Sequence, residues 1–175
     1  RKSYGEFSES PDPFSIFENL SAISPSPYSS FMKIGEKSVI SSSPEQLLKI
    51  SDTGQVSSIP IKGSAPRGQT EEEDLYYKKQ LENSTKDRSE NLMIVDLMRH
   101  DFSKGSDLSS VTVDPLFELS SYETIHHLSS TVLAQKKKEV SSLDFVKNVF
   151  PPGSMTGAPK VMAMTVKKAK YLTII

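Results

Sequence analysis

The chain has no cysteine and almost no net charge, and each absence excludes a class of function. Without cysteine there are no disulfide bonds and no thiolate catalysis, which fits a reducing, cytoplasmic compartment. The net charge is −1 over 175 residues, so no basic field predicts binding to nucleic acid or to a membrane surface. No apolar run is long enough for a membrane span or a signal peptide. The length and the 35% hydrophobic content are ordinary for a domain with its own core.

The two ends of the sequence differ from those of a complete protein. The chain starts on Arg1 rather than Met, and it stops on an apolar run directly after a helical pattern. We therefore expect a piece of a longer protein. Residues 1–24 predict a connector followed by a short helix over residues 14–22, and residues 25–175 predict the main domain.

Periodicity predicts antiparallel sheet in the first third and a mixture of helices and strands afterwards. The predicted strands are a hairpin over residues 31–40 with its turn near Gly35, and strands over residues 47–50, 56–61, 111–113 and 122–132. The predicted helices cover residues 71–81, 87–102, 143–150 and a stretch after residue 160. The helix over residues 87–102 has little polar surface, so we expect it to be buried on most sides.

A lysine lies between a short apolar run and a glycine in the segment Pro-Ile-Lys-Gly-Ser. We predict that Lys62 follows a strand, that Gly63 and Ser64 turn the chain, and that residues 66–68 close the turn. A lysine held partly dry has a lowered pKa, which makes its amine a nucleophile. From these residues alone, an exposed lysine at a strand-to-turn junction is the alternative.

The predicted helix over residues 87–102 carries a carboxylate on its apolar side. Glu90 shares a face with Met93, Ile94 and Leu97 at helical spacing. A carboxylate there is costly unless it is paired or bound to a metal ion. The sequence also allows a second interpretation, in which Glu90 is a first-turn carboxylate stabilised by the helix dipole.

Two adjacent histidines, His126 and His127, fall in the predicted strand over residues 122–132. Neighbouring side chains on a strand point to opposite faces. We therefore expect at most one of them to enter a functional site and the other to be structural, and we do not expect them to bind one metal together.

Small residues and prolines fill the segment 151–160, directly before a predicted helix. Pro159 suits the first helical turn, and a helix N-terminus directs N–H donors at an anion. The spacing to Lys160 excludes a Walker A loop. A plain loop-to-helix junction is the alternative.

Five stretches together resemble the chorismate-utilising enzymes, which include anthranilate synthase component I, aminodeoxychorismate synthase component I and the isochorismate and salicylate synthases. They occur in the family's order and at its spacing: Ser43-Pro44-Glu45 and residues 60–68, 90–101, 126–132 and 153–160. The resemblance implies an α+β fold with two packed antiparallel sheets flanked by helices. It also implies that residues 25–175 are the central part of a chorismate-binding catalytic domain.

Lys62 makes the chain most similar to the aminodeoxychorismate synthase component I subfamily, because anthranilate synthases have alanine at this position. The implied reaction converts chorismate and ammonia to 4-amino-4-deoxychorismate, for p-aminobenzoate and folate biosynthesis. Lys62 would attack C2 of chorismate with loss of the C4 hydroxyl, and ammonia would then add at C4 and expel the lysine. Glu45 would be the general acid, since hydroxide leaves readily only when a proton is delivered to it.

The resemblance also implies a cofactor, substrate contacts and a partner. Mg²⁺ would be held in part by Glu90, and the backbone of Gly63 and Ser64 would contact chorismate. His127 would lie beside the substrate, which leaves His126 as the structural histidine. A glutamine amidotransferase, as a separate subunit or a fused domain, would supply the ammonia.

A tryptophan pocket found in some members of the family matches Pro27, Tyr28 and Ser29 in part. Two differences from the family motifs lie near the predicted site. Gln46 replaces the arginine that usually follows Ser-Pro-Glu, and Ser64 replaces a threonine while keeping its hydroxyl. Neither removes a predicted catalytic group.

Two other functions stay open. Anthranilate synthase component I is the first, and Lys62 argues against it. An inactive fragment or degenerate paralogue is the second, and the presence of Lys62, Glu45 and Glu90 argues against it. We expect the segment to be inactive on its own.

Overall fold

The computed structural model describes residues 5–6, 9 and 11–172, with side chains of the last helix described as far as residue 166. Most of the connector predicted over residues 1–13, and the end of the apolar C-terminal run, lie outside the described residues. The chain forms two compact units that divide between Gln46 and Leu47. The division predicted after residue 24 stays a prediction.

The first unit contains a capped helix and a hairpin. Its elements are α1 (Pro13–Ile23), β1 (Ser30–Ile34) and β2 (Lys37–Ser41). Asp12 caps α1 by accepting a hydrogen bond from the Ser15 N–H at 3.0 Å. Gly35 turns the hairpin with a φ of 57°, a conformation that glycine adopts without strain. The predicted helix and hairpin are therefore confirmed.

The second unit contains two sheets, five α-helices and a short 3₁₀ helix (Leu108–Ser110) among the described residues. The first sheet has the order β3-β4-β9-β6 and the second has the order β5-β8-β7. The strands are β3 (Gln46–Ile50), β4 (Gln55–Ile59), β5 (Ile61–Pro66), β6 (Thr112–Val113), β7 (Glu118–Ser121), β8 (Ile125–Ser129) and β9 (Val132–Gln135). The helices are α2 (Glu71–Glu82), α3 (Thr85–Ser103), α4 (Ser142–Val149), α5 (Gly153–Thr156) and α6 (Lys160–Leu172).

The pairs β4–β9, β6–β9, β5–β8 and β7–β8 are antiparallel, which confirms the predicted α+β class with antiparallel sheets. An apolar core lies between the first sheet, α3 and α4. Its fully or almost fully buried members are Val56, Ile94, Val95, Met98, Phe102, Val132, Ala134, Phe145 and Val149. Within this core the Phe102 and Phe145 rings meet edge to face, with centroids 5.4 Å apart.

The strand predicted over residues 56–61 is two strands in two sheets. Pro60 separates β4 from β5, since proline has no N–H to continue a ladder. The turn predicted at Gly63 and Ser64 is also wrong, because both residues lie inside β5. Ile61 pairs with Ser129 and Ser64 with His127, so β5 has one extra residue and forms a β-bulge at Lys62 and Gly63.

The strand predicted over residues 122–132 is also divided. β8 ends at Ser129, the chain changes sheet at residues 130–131, and β9 begins at Val132. The partner strand β7 was not predicted, because its sequence Glu-Leu-Ser-Ser has one apolar residue and no alternation.

Helix α3 has one buried side rather than the almost complete burial that its sequence predicted. Leu92 is 50% exposed and Met93 is 46% exposed. The buried stripe follows the 3.6-residue period and consists of Asn91, Ile94, Val95, Met98, Asp101 and Phe102. Glu90 is half-buried at the edge of this stripe. None of the described helices is both long and apolar enough to cross a membrane.

Candidate active site

Lys62 lies in the bulge of β5, opposite Leu128 of β8. Its side chain is half-buried. Among the ion pairs of the described residues, none includes Lys62. A bulge redirects a side chain out of the regular alternation of a strand, and bulges are frequent beside active sites. The lysine amine is therefore presented from the bulge of a strand, outside the ion pairs that the described residues form.

Gly63 is required by both the conformation and the space of the bulge. Its φ is 94°, which side chains of L-residues rarely allow. A Cβ added here would lie 2.8 Å from the Asp87 Cβ and 3.0 Å from the Leu81 Cδ1. The β5 backbone therefore approaches the α2–α3 junction more closely than any residue with a side chain permits.

Ser64 and His127 are brought together by the pairing of β5 with β8. The Ser64 Oγ and the His127 Nδ1 share a hydrogen bond of 2.7 Å. The Tyr122 ring meets the imidazole edge to face, with centroids 5.6 Å apart. Burial lowers the pKa of His127, and a hydrogen bond with the Gly63 backbone opposes that effect in part. His127 therefore has a neutral imidazole with a fixed orientation. It pairs across the sheet with Ser64, the residue that follows Gly63.

His126 has entirely different partners from His127. It is fully buried, with its Nε2 3.0 Å from Asp74 Oδ1 and its Nδ1 2.8 Å from Ser121 Oγ. Asp74 also accepts hydrogen bonds from the Arg67 guanidinium at 2.6 and 3.0 Å and from the Gly68 N–H at 2.8 Å. This network joins α2 to the second sheet, which agrees with a structural role for His126.

The Arg67 guanidinium is the main reason that the pKa of Asp74 lies well below its usual range, with the Gly68 N–H and His126 acting in the same direction. The Asp74 carboxylate therefore stays ionised and accepts hydrogen bonds from Arg67, from the Gly68 N–H and from His126.

Glu90 is placed by α3, which packs against β5 and β8. Asp87 lies one helical turn earlier on the same side, at the position that a Cβ added to Gly63 would meet at 2.8 Å. Across the described residues, no three His, Asp or Glu side chains come together as a metal site. Glu90 and Asp87 thus lie one turn apart on α3, the helix that packs against the strand with the bulge.

Asn91 was missed by the sequence reasoning. It is fully buried on α3 and accepts a 2.6 Å hydrogen bond from the Ser130 hydroxyl. Its Nδ2 donates to the carbonyls of Pro60 and Leu128, both at 3.5 Å. A signal was available, because Asn91, Ile94, Val95 and Met98 follow the i, i+3, i+4, i+7 pattern of a buried face.

In the first unit, Glu45 lies in a short loop fixed by local hydrogen bonds. The Ser43 hydroxyl bonds both the N–H and the carbonyl of Glu45, at 3.3 and 3.1 Å. The Tyr28 N–H donates to the Ser43 carbonyl at 3.1 Å, and the Tyr28 hydroxyl donates to Gln46 at 3.2 Å. The Ser-Pro-Glu motif and the predicted tryptophan-pocket segment Pro27, Tyr28 and Ser29 are therefore neighbours, and Glu45 is half-buried.

Lys160, at the start of α6, turns inward. Its Nζ lies 2.7 Å from Asp101 Oδ2 and 2.7 Å from the Val149 carbonyl. Asp101 is fully buried and also pairs with Lys104 at 2.7 Å. This lysine therefore anchors the segment 153–160 to α3, and an anion-binding role for the segment stays a prediction.

A family model described as chorismate binding enzyme matches residues 3–168, so the chain belongs to that family. It is 44% identical over 154 residues to an aminodeoxychorismate synthase of Streptomyces griseus, covering 88% of this chain and 21% of that protein.

Two further relatives are anthranilate synthases. The chain is 42% identical over 155 residues to anthranilate synthase component 1 of Saccharolobus solfataricus, covering 89% of this chain and 37% of that one. It superposes on the crystal structure of anthranilate synthase component I from Streptococcus pneumoniae with a TM-score of 0.77 at 32% identity, over 89% of this chain and 34% of that one. The chain thus spans well under half of the length of these relatives.

Proposed function

We propose that the chain is the central part of the catalytic domain of a cytoplasmic aminodeoxychorismate synthase. The enzyme would convert chorismate and ammonia to 4-amino-4-deoxychorismate, for p-aminobenzoate and folate biosynthesis. The observation that carries the proposal is Lys62, half-buried in a bulge and outside every ion pair of the described residues. The 44% identity to a synthase of that name supports it.

Lys62 would act as the nucleophile. Its amine forms a bond to C2 of chorismate, the two ring double bonds shift from C1=C2 and C5=C6 to C1=C6 and C4=C5, and the bond from C4 to its hydroxyl oxygen breaks. Glu45 gives the hydroxyl a proton, so that water leaves, while the lysine nitrogen loses a proton. Ammonia then bonds to C4, both double bonds shift back, and the bond between Lys62 and C2 breaks, with the proton lost by the new C4 ammonium group replacing the one that the departing lysine nitrogen needs. Two easier displacements thus replace one difficult one.

The groups around Lys62 would position the substrate. Gly63 would contact chorismate through its backbone beside the reacting amine, since the bulge interrupts regular pairing at Lys62 and Gly63, and Ser64, the next residue, would contact it from the edge of the bulge. His127, oriented by the Ser64 hydroxyl and kept neutral by burial, offers one hydrogen-bonding nitrogen to chorismate. Neutral imidazole avoids a fixed charge beside the attacking amine.

Glu90 fits a role as a magnesium ligand. It is half-buried and belongs to none of the ion pairs of the described residues. Mg²⁺ is commonly held by one or two protein carboxylates together with substrate oxygens. When bound, the ion would neutralise a carboxylate of chorismate. Asp87, one turn away, is the second carboxylate on this side of α3.

The source of ammonia belongs to the same proposal. A glutamine amidotransferase, as a subunit or a fused domain, would release ammonia next to the chorismate site. Activity of the intact protein with ammonium salts alone would bypass this partner, which simplifies the test.

Product identification with the intact protein tests the proposal. The protein is incubated with chorismate, Mg²⁺ and ammonium, and the product is identified by mass and fluorescence. We expect aminodeoxychorismate from the wild type and a loss of about 10³-fold in Lys62→Ala, since the covalent route is removed. Lys62→Arg, which keeps the charge without the nucleophile, is the matched control and should be equally inactive.

Anthranilate synthase component I is the second candidate, and the 42% identity to the Saccharolobus solfataricus protein favours it. Anthranilate from the wild type, retained in Lys62→Ala, would replace the first proposal with this one. A folded protein that gives neither product would be a degenerate paralogue.

A further inference from the structure

The fully buried amide of Asn91 lies where the chain changes sheet twice. Pro60 connects β4 to β5, and residues 130–131 connect β8 to β9. These two connections touch, because the Ser130 N–H donates to the Pro60 carbonyl at 3.2 Å. Asn91 reaches both from α3, accepting from the Ser130 hydroxyl at 2.6 Å and donating to the Pro60 carbonyl at 3.5 Å.

The same amide also contacts the strand opposite the bulge. Leu128 faces Lys62 and Gly63 across the β5–β8 pair, and its carbonyl accepts from the Asn91 Nδ2 at 3.5 Å. Pro60 is two residues before Lys62, and Leu128 lies across from it. Asn91 therefore ties both sides of the bulge to one point on α3.

Asparagine suits this position because its side chain accepts and donates at once without carrying charge. Pro60 has no N–H, and its carbonyl is buried in the sheet crossover, so that carbonyl needs donors from outside a ladder. The Ser130 hydroxyl also accepts from the Phe117 N–H at 3.0 Å, which completes a satisfied network.

We propose that Asn91 is a positioning residue that sets the placement of the Lys62 and Gly63 bulge against α3. It acts through the backbone of Pro60 and Leu128 and contacts no reacting atom. The expected effect on the reaction rate rests on the proposed function of Lys62. The expected effect on the position of the bulge does not. An amine misplaced by about 1 Å loses up to about 100-fold in rate, so a modest shift of the bulge suffices for a large effect.

Two variants of the intact protein and one control test this inference. Asn91→Leu keeps a similar volume and removes every hydrogen bond of the amide. Ser130→Ala keeps the amide and removes the hydroxyl that orients it, together with the acceptor of the Phe117 N–H. Met98→Ala is the matched control, because Met98 is a buried apolar residue on the same helix. Each of the three variants is first shown to be folded by circular dichroism. If Asn91→Leu does not fold, Ser130→Ala alone tests whether Asn91 positions the bulge.

Two readouts are compared. The first is the rate of reductive methylation of Lys62, followed by peptide mass spectrometry with the exposed Lys49 as the internal reference. The second is kcat and KM for chorismate with ammonium. We expect Asn91→Leu to change the Lys62 methylation rate several-fold, and to lower kcat about tenfold or more with little change in KM. Ser130→Ala should change both in the same direction and by less, and Met98→Ala should change neither.

Equal effects of Asn91→Leu and Met98→Ala on both readouts would overturn the inference, since general loosening would then explain them. Unchanged Lys62 methylation in both network variants would also overturn it. If instead Lys62→Ala keeps full activity, the proposed function fails, and the methylation comparison still decides whether Asn91 positions the bulge.

Discussion

At the scale of single residues, the bulge depends on one glycine. We expect Gly63→Ala to lower the free energy of unfolding by about 3 kcal/mol or more, from backbone strain plus overpacking against Asp87 and Leu81. Urea unfolding of the intact protein measures this. Gly35→Ala is the control, since Gly35 also has a positive φ but an added Cβ there meets nothing within 4 Å, so it should cost about 1–2 kcal/mol. Equal losses of stability in Gly63→Ala and Gly35→Ala would show that the close approach of Asp87 and Leu81 to Gly63 does not limit the residue at this position.

Asp74 should make the protein sensitive to acid. The pKa of Asp74 is lowered mainly by Arg67, so the stability it contributes is complete above its unfolded pKa of about 4. That stability is lost as the pH falls through the lower folded value. We therefore expect Asp74→Asn to be less stable than the wild type at pH 6 and the difference to shrink towards pH 2, as followed by urea unfolding.

Asp96→Asn is the control for this prediction, because the Asp96–Arg99 pair is exposed at 3.4 Å and should contribute less than about 1 kcal/mol. A constant difference between wild type and Asp74→Asn across the whole pH range would contradict the account.

The stability that His127 contributes should depend on pH over a higher range than the stability that Asp74 contributes. Burial lowers the pKa of His127, so the neutral ring contributes its full stability above the unfolded value of about 6.5. This contribution is lost as the pH falls through the folded pKa. NMR titration of the imidazole should give a value below the usual one, and also in Ser64→Ala, since burial and not Ser64 is the main cause. A normal value in the wild type would contradict this.

At the scale of elements, a buried ion pair joins α3 to α6. Asp101 is fully buried and Lys160 is 11% exposed, so removing Lys160 leaves the buried Asp101 carboxylate with Lys104 as its remaining cation. We expect Lys160→Met to lower the free energy of unfolding by about 3 kcal/mol, the low end for such changes, because Lys104 still pairs with Asp101.

Unfolding of the intact protein measures this loss, and hydrogen exchange should show faster opening over residues 153–160. Lys147→Met is the control, since the Lys147–Asp144 pair is exposed and solvent screening should leave it little contribution to stability. Losses of the same size in both variants would contradict the claim that the Asp101–Lys160 pair joins α3 to α6.

Helix positions were predictable because their signals are local. Thr70 caps α2 and Ser84 caps α3 through side-chain hydrogen bonds to backbone N–H groups three residues on. Sheet membership is not local. Nothing in the spacing around Pro60 or residues 130–131 says that the chain leaves one sheet for another, so one strand was predicted where two occur.

At the scale of the whole molecule, the sequence motifs indicated which residues belong to one site. They did not indicate the strand pairing that brings those residues together. Ser64 and His127 were both predicted site residues, and the β5–β8 pairing joins them directly. The bulge at Lys62 was not predictable, since it depends on the register between strands over 60 residues apart in the chain. Asn91 was missed because its partners, Pro60, Leu128 and Ser130, are all distant in sequence. The roles of Lys62, Glu45 and Glu90 stay predictions.

The most direct test of the central claim is to trap the lysine adduct. The intact protein is incubated with chorismate and Mg²⁺ without ammonia, then digested and examined by mass spectrometry. We expect the Lys62 peptide to gain the mass of chorismate less one water, and ammonium to discharge the adduct as aminodeoxychorismate. An unmodified Lys62 peptide, in a protein that still makes its product when ammonium is added, would contradict the claim that Lys62 is the nucleophile.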